Sequence, residues 1–193
     1  ETRQTKQEPF YLKPGNGAIA ERLSDMKGNQ ESIAETIENN VRSKILKEQL
    51  TDPAYFAKMS ALLDEIIRLR REKAIEYEDY LARIADIVKK VSIGKPDDTP
   101  AQLKTSGQLA LYNNLKDYVA ADVSQEPKPP YGNGTQALEM ALELDSTIKA
   151  RRPDGWRGVV AKEQMVKQAM FEVLKDIKEV NRLFPIVFAQ KEY

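Results

Sequence analysis

Residues 51–74, "TDPAYFAKMSALLDEIIRLRREKA", decide the fold. Asp52 stands where a helix N-cap accepts from the first free amides. Pro53 follows at the first helical position, where no amide is needed. Phe56, Met59, Leu62, Leu63, Ile66 and Ile67 then recur at three-four spacing, the stripe of a helix with one buried face. A strand would alternate with period two, and this stretch does not.

The same period continues on both sides. Upstream, Ser32 and Glu35 form an S-x-x-E capping box, and Ile33, Ile37, Val41 and Ile45 return every fourth residue. Downstream, "YEDYLARIADIVKKV" turns Leu81, Ile84, Ile87, Val88 and Val91 inward until Gly94 and Pro96 end the helix. Thr99-Pro100 reads as a further helix start. "SGQLALYNNL" is a short helix with Leu109, Leu111, Tyr112 and Leu115 inward. Thr135 caps "QALEMALELDSTIKA", a helix follows over Val159 to Leu174, and Pro185 kinks or restarts the last one. The expected fold is all-α, an irregular helical bundle of about six to eight helices with a long Pro/Gly-rich loop near 117–134. Residues 1–30 read as a linker with a short helix over Gly17 to Lys27, and residues 31–193 as the helical domain.

Composition removes several kinds of chemistry. Lys plus Arg and Asp plus Glu both number 30, so there is no global basic surplus for holding nucleic acid, although a local basic face is compatible with that balance. Charged residues make up 31%, which suits helices with charged outer faces. The chain has no cysteine and no histidine. Thiolate nucleophiles, disulfides, Ser-His catalysis and the commonest metal ligands are therefore excluded. No apolar run approaches the ~20 residues of a membrane span, and the expected location is cytoplasmic. The chain begins at Glu1 and is read as a fragment or a processed chain.

Short motifs add little catalytic promise. "LLDEII" (Leu62 to Ile67) looks like the acidic box of a nucleotide hydrolase, but it sits on a helix and no phosphate-binding G-x-x-x-x-G-K-[ST] accompanies it. Pro96-Asp97 and Glu126-Pro127-Lys128 carry the letters of a metal-dependent nuclease but lie in proline-rich loops. Glu72 and Glu76, like Glu139 and Glu143, share a helix face and read as surface charge. The densest basic clusters are "RLRREK" and "KARR". Arg68, Arg70, Arg71, Lys149, Arg151 and Arg152 are thus candidates for weak DNA contact, against the plainer reading of cations closing a helix.

The only tryptophan, Trp156, lies in the turn-forming "RRPDGWRG" (Arg151 to Gly158). A core plug, an interface anchor and a base-stacking platform are all open to it. From Glu35 onward the chain reads "ETIENNVRSKILKEQLTDPAYFAKMSALLDEII", "YEDYLARIADIVKKV", "LALYNNL", "ALELDSTIKARRPDGWRGVVAKEQMVKQAMFEVL" and, at its end, "FAQKEY". In that order, over roughly residues 32–193, it resembles the C-terminal helical domain of the R (restriction, or motor) subunit of type I restriction-modification enzymes. The Tyr-Asn-Asn-Leu and Asp-Gly-Trp-Arg-Gly stretches are the most specific part of the likeness.

That resemblance implies a non-catalytic assembly module that docks the motor subunit onto its methyltransferase core. The implied partners are the modification and specificity subunits and the motor and nuclease domains of the same full-length chain, with duplex DNA as a further candidate. ATP and Mg are expected only for those other domains, because the phosphate-binding and D-E-A-D-like motifs are missing from this sequence. Asp154, Trp156 and Arg157 are implied to form a corner, with the aspartate starting the next helix, the indole filling the space between helices, and the arginine pairing or facing a partner. Two other readings stay open, a helical element steadying duplex entering the motor and an unrelated α-helical adaptor.

Overall fold

The computed structural model describes residues 30–96, 98–122 and 133–193. Among them are seven helices and no strand: α1 (Gln30–Glu48), α2 (Pro53–Arg71), α3 (Tyr77–Ile93), α4 (Ser106–Asp122), α5 (Asn133–Arg151), α6 (Val160–Leu174) and α7 (Ile177–Ala189). The chain is all-α. The expected helix over Gly17 to Lys27 lies outside the described residues, as do Asp97 and Glu126 to Lys128.

Two apolar cores form, one from each half of the described chain. In the first, Ala34, Val41 and Ile45 of α1 meet the α2 stripe and the inner face of α3. Phe56, Met59, Leu63, Ile66 and Ile67 are buried as their spacing requires, whereas Leu62 falls outside the stripe and is exposed. Each such side chain removed from water contributes about 1.5–3 kcal/mol. Asp52 accepts from Tyr55 N–H at 3.2 Å as the cap of α2. Gly94 closes α3 in the left-handed region (φ 63°), where a side chain would be strained, and its N–H reaches Lys90 O at 2.8 Å.

The second core is built on α4, which packs chiefly against α5 and also against α2 and α7. Every residue from 109 to 115 is buried, so α4 has no solvent face over this span. It is no short helix. It runs to Asp122, and α5 begins at Asn133, so helix covers both ends of the expected 117–134 loop. Residues 123–132 lie outside the described residues.

Three helix starts differ from expectation. Ser32 lies inside α1, where its main-chain oxygen accepts from Thr36 Oγ1 at 2.8 Å. Thr135 lies inside α5, which starts at Asn133. Thr99-Pro100 gives only turns, and the next helix waits until Ser106. Pro185 is accommodated within a continuous α7.

Candidate functional site

The "RRPDGWRG" turn links α5 to α6 and needs two left-handed residues, Gly155 (φ 57°) and Gly158 (φ 77°). These fix the direction in which Trp156 leaves the chain. The indole is 1% exposed, packed against Phe184 and Phe188 at centroid distances of 5.9 and 5.5 Å. Trp156 therefore fills the second core. Among the described residues its Nε1 has no acceptor, nor does the buried Nε of Arg152.

Arg157 covers the indole, its guanidinium carbon 4.5 Å from the ring centroid. Its Nε donates to Phe188 O at 2.9 Å, one amino group to Tyr193 O at 2.6 Å and the other to Gln190 O. The fork thus binds main-chain oxygens in the last turn of α7 and beyond its end, which carry no side-chain signature. Burial, then the Arg152 charge, holds the guanidinium pKa below its ordinary value. Asp154 is exposed and does not cap α6 with its side chain; that helix starts from Val159. Instead Glu163 Oε1 accepts from Gly158 N–H at 2.8 Å, and Lys162 Nζ reaches Asp154 O at 2.6 Å.

The segment held by Arg157 is bound from other sides too. Tyr193 Oη donates to Asp145 Oδ1 at 2.9 Å, and Gln108 Nε2 to Asp145 Oδ2 at 2.8 Å. Burial, then the Asp145 charge, pushes the Tyr193 phenol well above its ordinary range. Glu192 Oε1 accepts from Thr105 Oγ1 and Gly107 N–H, both at 2.8 Å. A Cβ on Gly107 would meet that oxygen at 2.0 Å, so a larger residue there would displace the Glu192 carboxylate.

The basic candidates are not gathered into one patch. Arg70 is buried between Glu38 (2.9 Å) and Glu31 (2.7 Å), and lies over the Tyr80 ring at 5.5 Å. Tyr80 Oη in turn donates to Glu38 at 3.1 Å. Arg68 bridges Glu65 and Glu72, both at 2.7 Å. Lys149 pairs with Asp145 at 2.7 Å, and Arg151 with Glu172 at 2.5 Å. Arg71 lines a shallow groove with Arg42, Asp64 and Glu72, a surface of mixed charge.

Sequence reasoning missed the joint between the two halves. Asp52, the α2 cap, also accepts from Asn113 Nδ2 at 2.7 Å and Asn114 Nδ2 at 2.9 Å. Asn114 further accepts from Ala54 N–H at 3.3 Å and donates to Ala110 O at 2.8 Å. Burial pushes Asp52 up to about 6, against the Asn113, Tyr55 and Asn114 hydrogen bonds and the Lys58 charge. Adjacent amides in an otherwise apolar helix were the available signal. Gln190 Nε2 reinforces the joint by donating to Thr51 O at 2.6 Å.

No family model, curated protein or solved structure matches the chain. Among the described residues no helix is long and apolar enough to cross a membrane, and no group of three or more His, Cys, Asp or Glu is placed to hold a metal.

Proposed function

We propose that the chain is a non-catalytic helical assembly module of a type I restriction enzyme R subunit. It docks the ATP-dependent DNA-translocating and cleaving subunit onto its cytoplasmic methyltransferase core. ATP and Mg act in the motor and nuclease domains of the full subunit.

The identity rests on the ordered sequence resemblance. The docking role rests on the outer face of α6, where Ala161, Gln164, Met165, Gln168 and Phe171 are all exposed and uncharged. Met165 is 53% and Phe171 41% exposed. Depletion of charge around aromatic and methionine side chains is what the centre of a protein interface requires. The DNA-contact reading has less support from the basic clusters, because Arg68, Arg70, Lys149 and Arg151 are held by carboxylates.

Size-exclusion chromatography of the chain mixed with modification and specificity subunits tests this reading. Co-elution of all three polypeptides, lost in Met165→Glu/Phe171→Glu, is the expected result. Separate elution of the wild-type chain at micromolar concentration overturns it.

A further inference from the structure

A groove of about 310 Å³ opens beside the Asp52 joint, and lysines from three helices line it: Lys58 of α2, Lys90 of α3 and Lys116 of α4. Asp98 is the one acidic side chain among its described lining residues. The chain as a whole is neutral, so this excess of positive charge is local.

The three ammonium groups are compensated to different degrees. Lys90 is tied to Asp86 at 2.7 Å. Lys116 stands 3.9 Å from Asp98, a long contact, and 4.4 Å from the Tyr112 ring centroid. Among the described residues no carboxylate lies within ion-pair distance of Lys58; its charge is felt instead by the buried Asp52. The Lys90 and Lys116 side chains are only 30% and 28% exposed, so their stems are already ordered and an anion would immobilise little more.

The neutral lining narrows the ligand. Tyr55 and Met59 are buried, and Tyr55 Oη is occupied by Lys90 O at 2.8 Å. Among its described lining residues the groove therefore offers ammonium groups but no open ring on which a base would stack. We propose that the Lys58–Lys90–Lys116 groove is a binding site for phosphate oxyanions, taken either from a nucleic-acid backbone without regard to sequence or as free phosphate. The site is distinct from the α6 face and does not depend on the docking role.

The test is anisotropy of a short labelled random-sequence duplex at several low salt concentrations, with calorimetric titration of inorganic phosphate alongside. The variants are Lys58→Gln/Lys116→Gln and, for the same loss of charge away from the groove, Lys47→Gln/Lys175→Gln. Asp98→Asn gives a readout of opposite sign. If the groove holds backbone phosphates, the groove pair weakens duplex binding about tenfold and lowers the slope of log affinity against log salt by about 2, roughly 1 per lysine. The control pair changes little, and Asp98→Asn tightens binding. Phosphate binding alone, lost in the groove pair, assigns the site to free phosphate. Should the double variant lose its helical circular dichroism, the exposed Lys58→Gln is read alone. Absence of binding to both probes, or equal losses in the groove and control pairs, overturns the proposal.

Discussion

Asp52 Oδ2 accepts from Asn113 Nδ2 at 2.7 Å, although the two residues stand 61 positions apart. The cap of α2, the helix that organises the first core, is thereby held by the helix at the centre of the second. Asn114 binds the other carboxylate oxygen and the Ala54 amide, so two side chains of one Tyr-Asn-Asn-Leu stretch fix how the halves meet.

Asn114→Ala is expected to lower stability by about 1–3 kcal/mol, because it leaves Asp52 and Ala54 N–H with fewer partners in a buried place. Urea unfolding followed by circular dichroism measures this. A change below ~0.5 kcal/mol would mean that the joint is not closed in solution.

Asp52 also gives the joint a pH dependence of definite sign. Its pKa rises on folding from 3.8 to about 6, so the folded state binds the proton more tightly than the unfolded state. Its contribution is most favourable below about pH 4 and is lost as pH rises through about 6, then stays level. The whole excursion is at most roughly 3 kcal/mol. Asp52→Asn keeps an effective cap and is expected to remove this component, with Asn113 turning its amide oxygen toward the new donor. Urea midpoints of both proteins between pH 4 and 7.5 check it. A wild-type minus variant difference that does not fall with rising pH contradicts the assignment.

Trp156→Ala is expected to open a cavity among Phe184, Phe188 and the second core, costing about 3–5 kcal/mol. Thermal unfolding reads the loss. Near-neutral behaviour would contradict the indole's burial.

Arg157→Lys preserves charge but cannot serve three carbonyls from one planar group. Faster hydrogen exchange over residues 188–193, with α1 to α3 unchanged, is the expected pattern. Unchanged exchange there would show that the Asp145–Tyr193 and Gly107–Glu192 bonds hold the segment without the arginine.

The helices were legible because their apolar residues repeat with the turn. The α2 stripe is the clearest case, and Asp52 with Pro53 marked its start. Asn113 and Asn114 misled for a physical reason. Their amides look like solvent-facing polar residues until a buried carboxylate from a distant cap is placed against them, whereas the short reading of α4 comes from the Pro/Gly-rich letters of 117–134. The helix starts assigned to Ser32 and Thr135 came from local hydrogen-bonding preference, which helical continuity overrode. At the corner, the glycines announced a turn but not its interior. A tryptophan suits a core and an interface equally from sequence alone, and the acceptors of Arg157 are main-chain oxygens with no residue pattern.

In the proposed docking module the Trp156–Arg157 corner builds the frame and the contact surface lies on the outer face of α6. The decisive experiment is calorimetric titration of the chain, and of Trp156→Phe, into the assembled methyltransferase core. Saturable binding by both is expected, with affinities within about twofold, a difference of about 0.4 kcal/mol where tenfold is about 1.4 kcal/mol. No saturable heat from the wild-type chain would contradict the docking role. Binding lost in a Trp156→Phe protein that keeps its helical circular dichroism would put the indole at the interface instead.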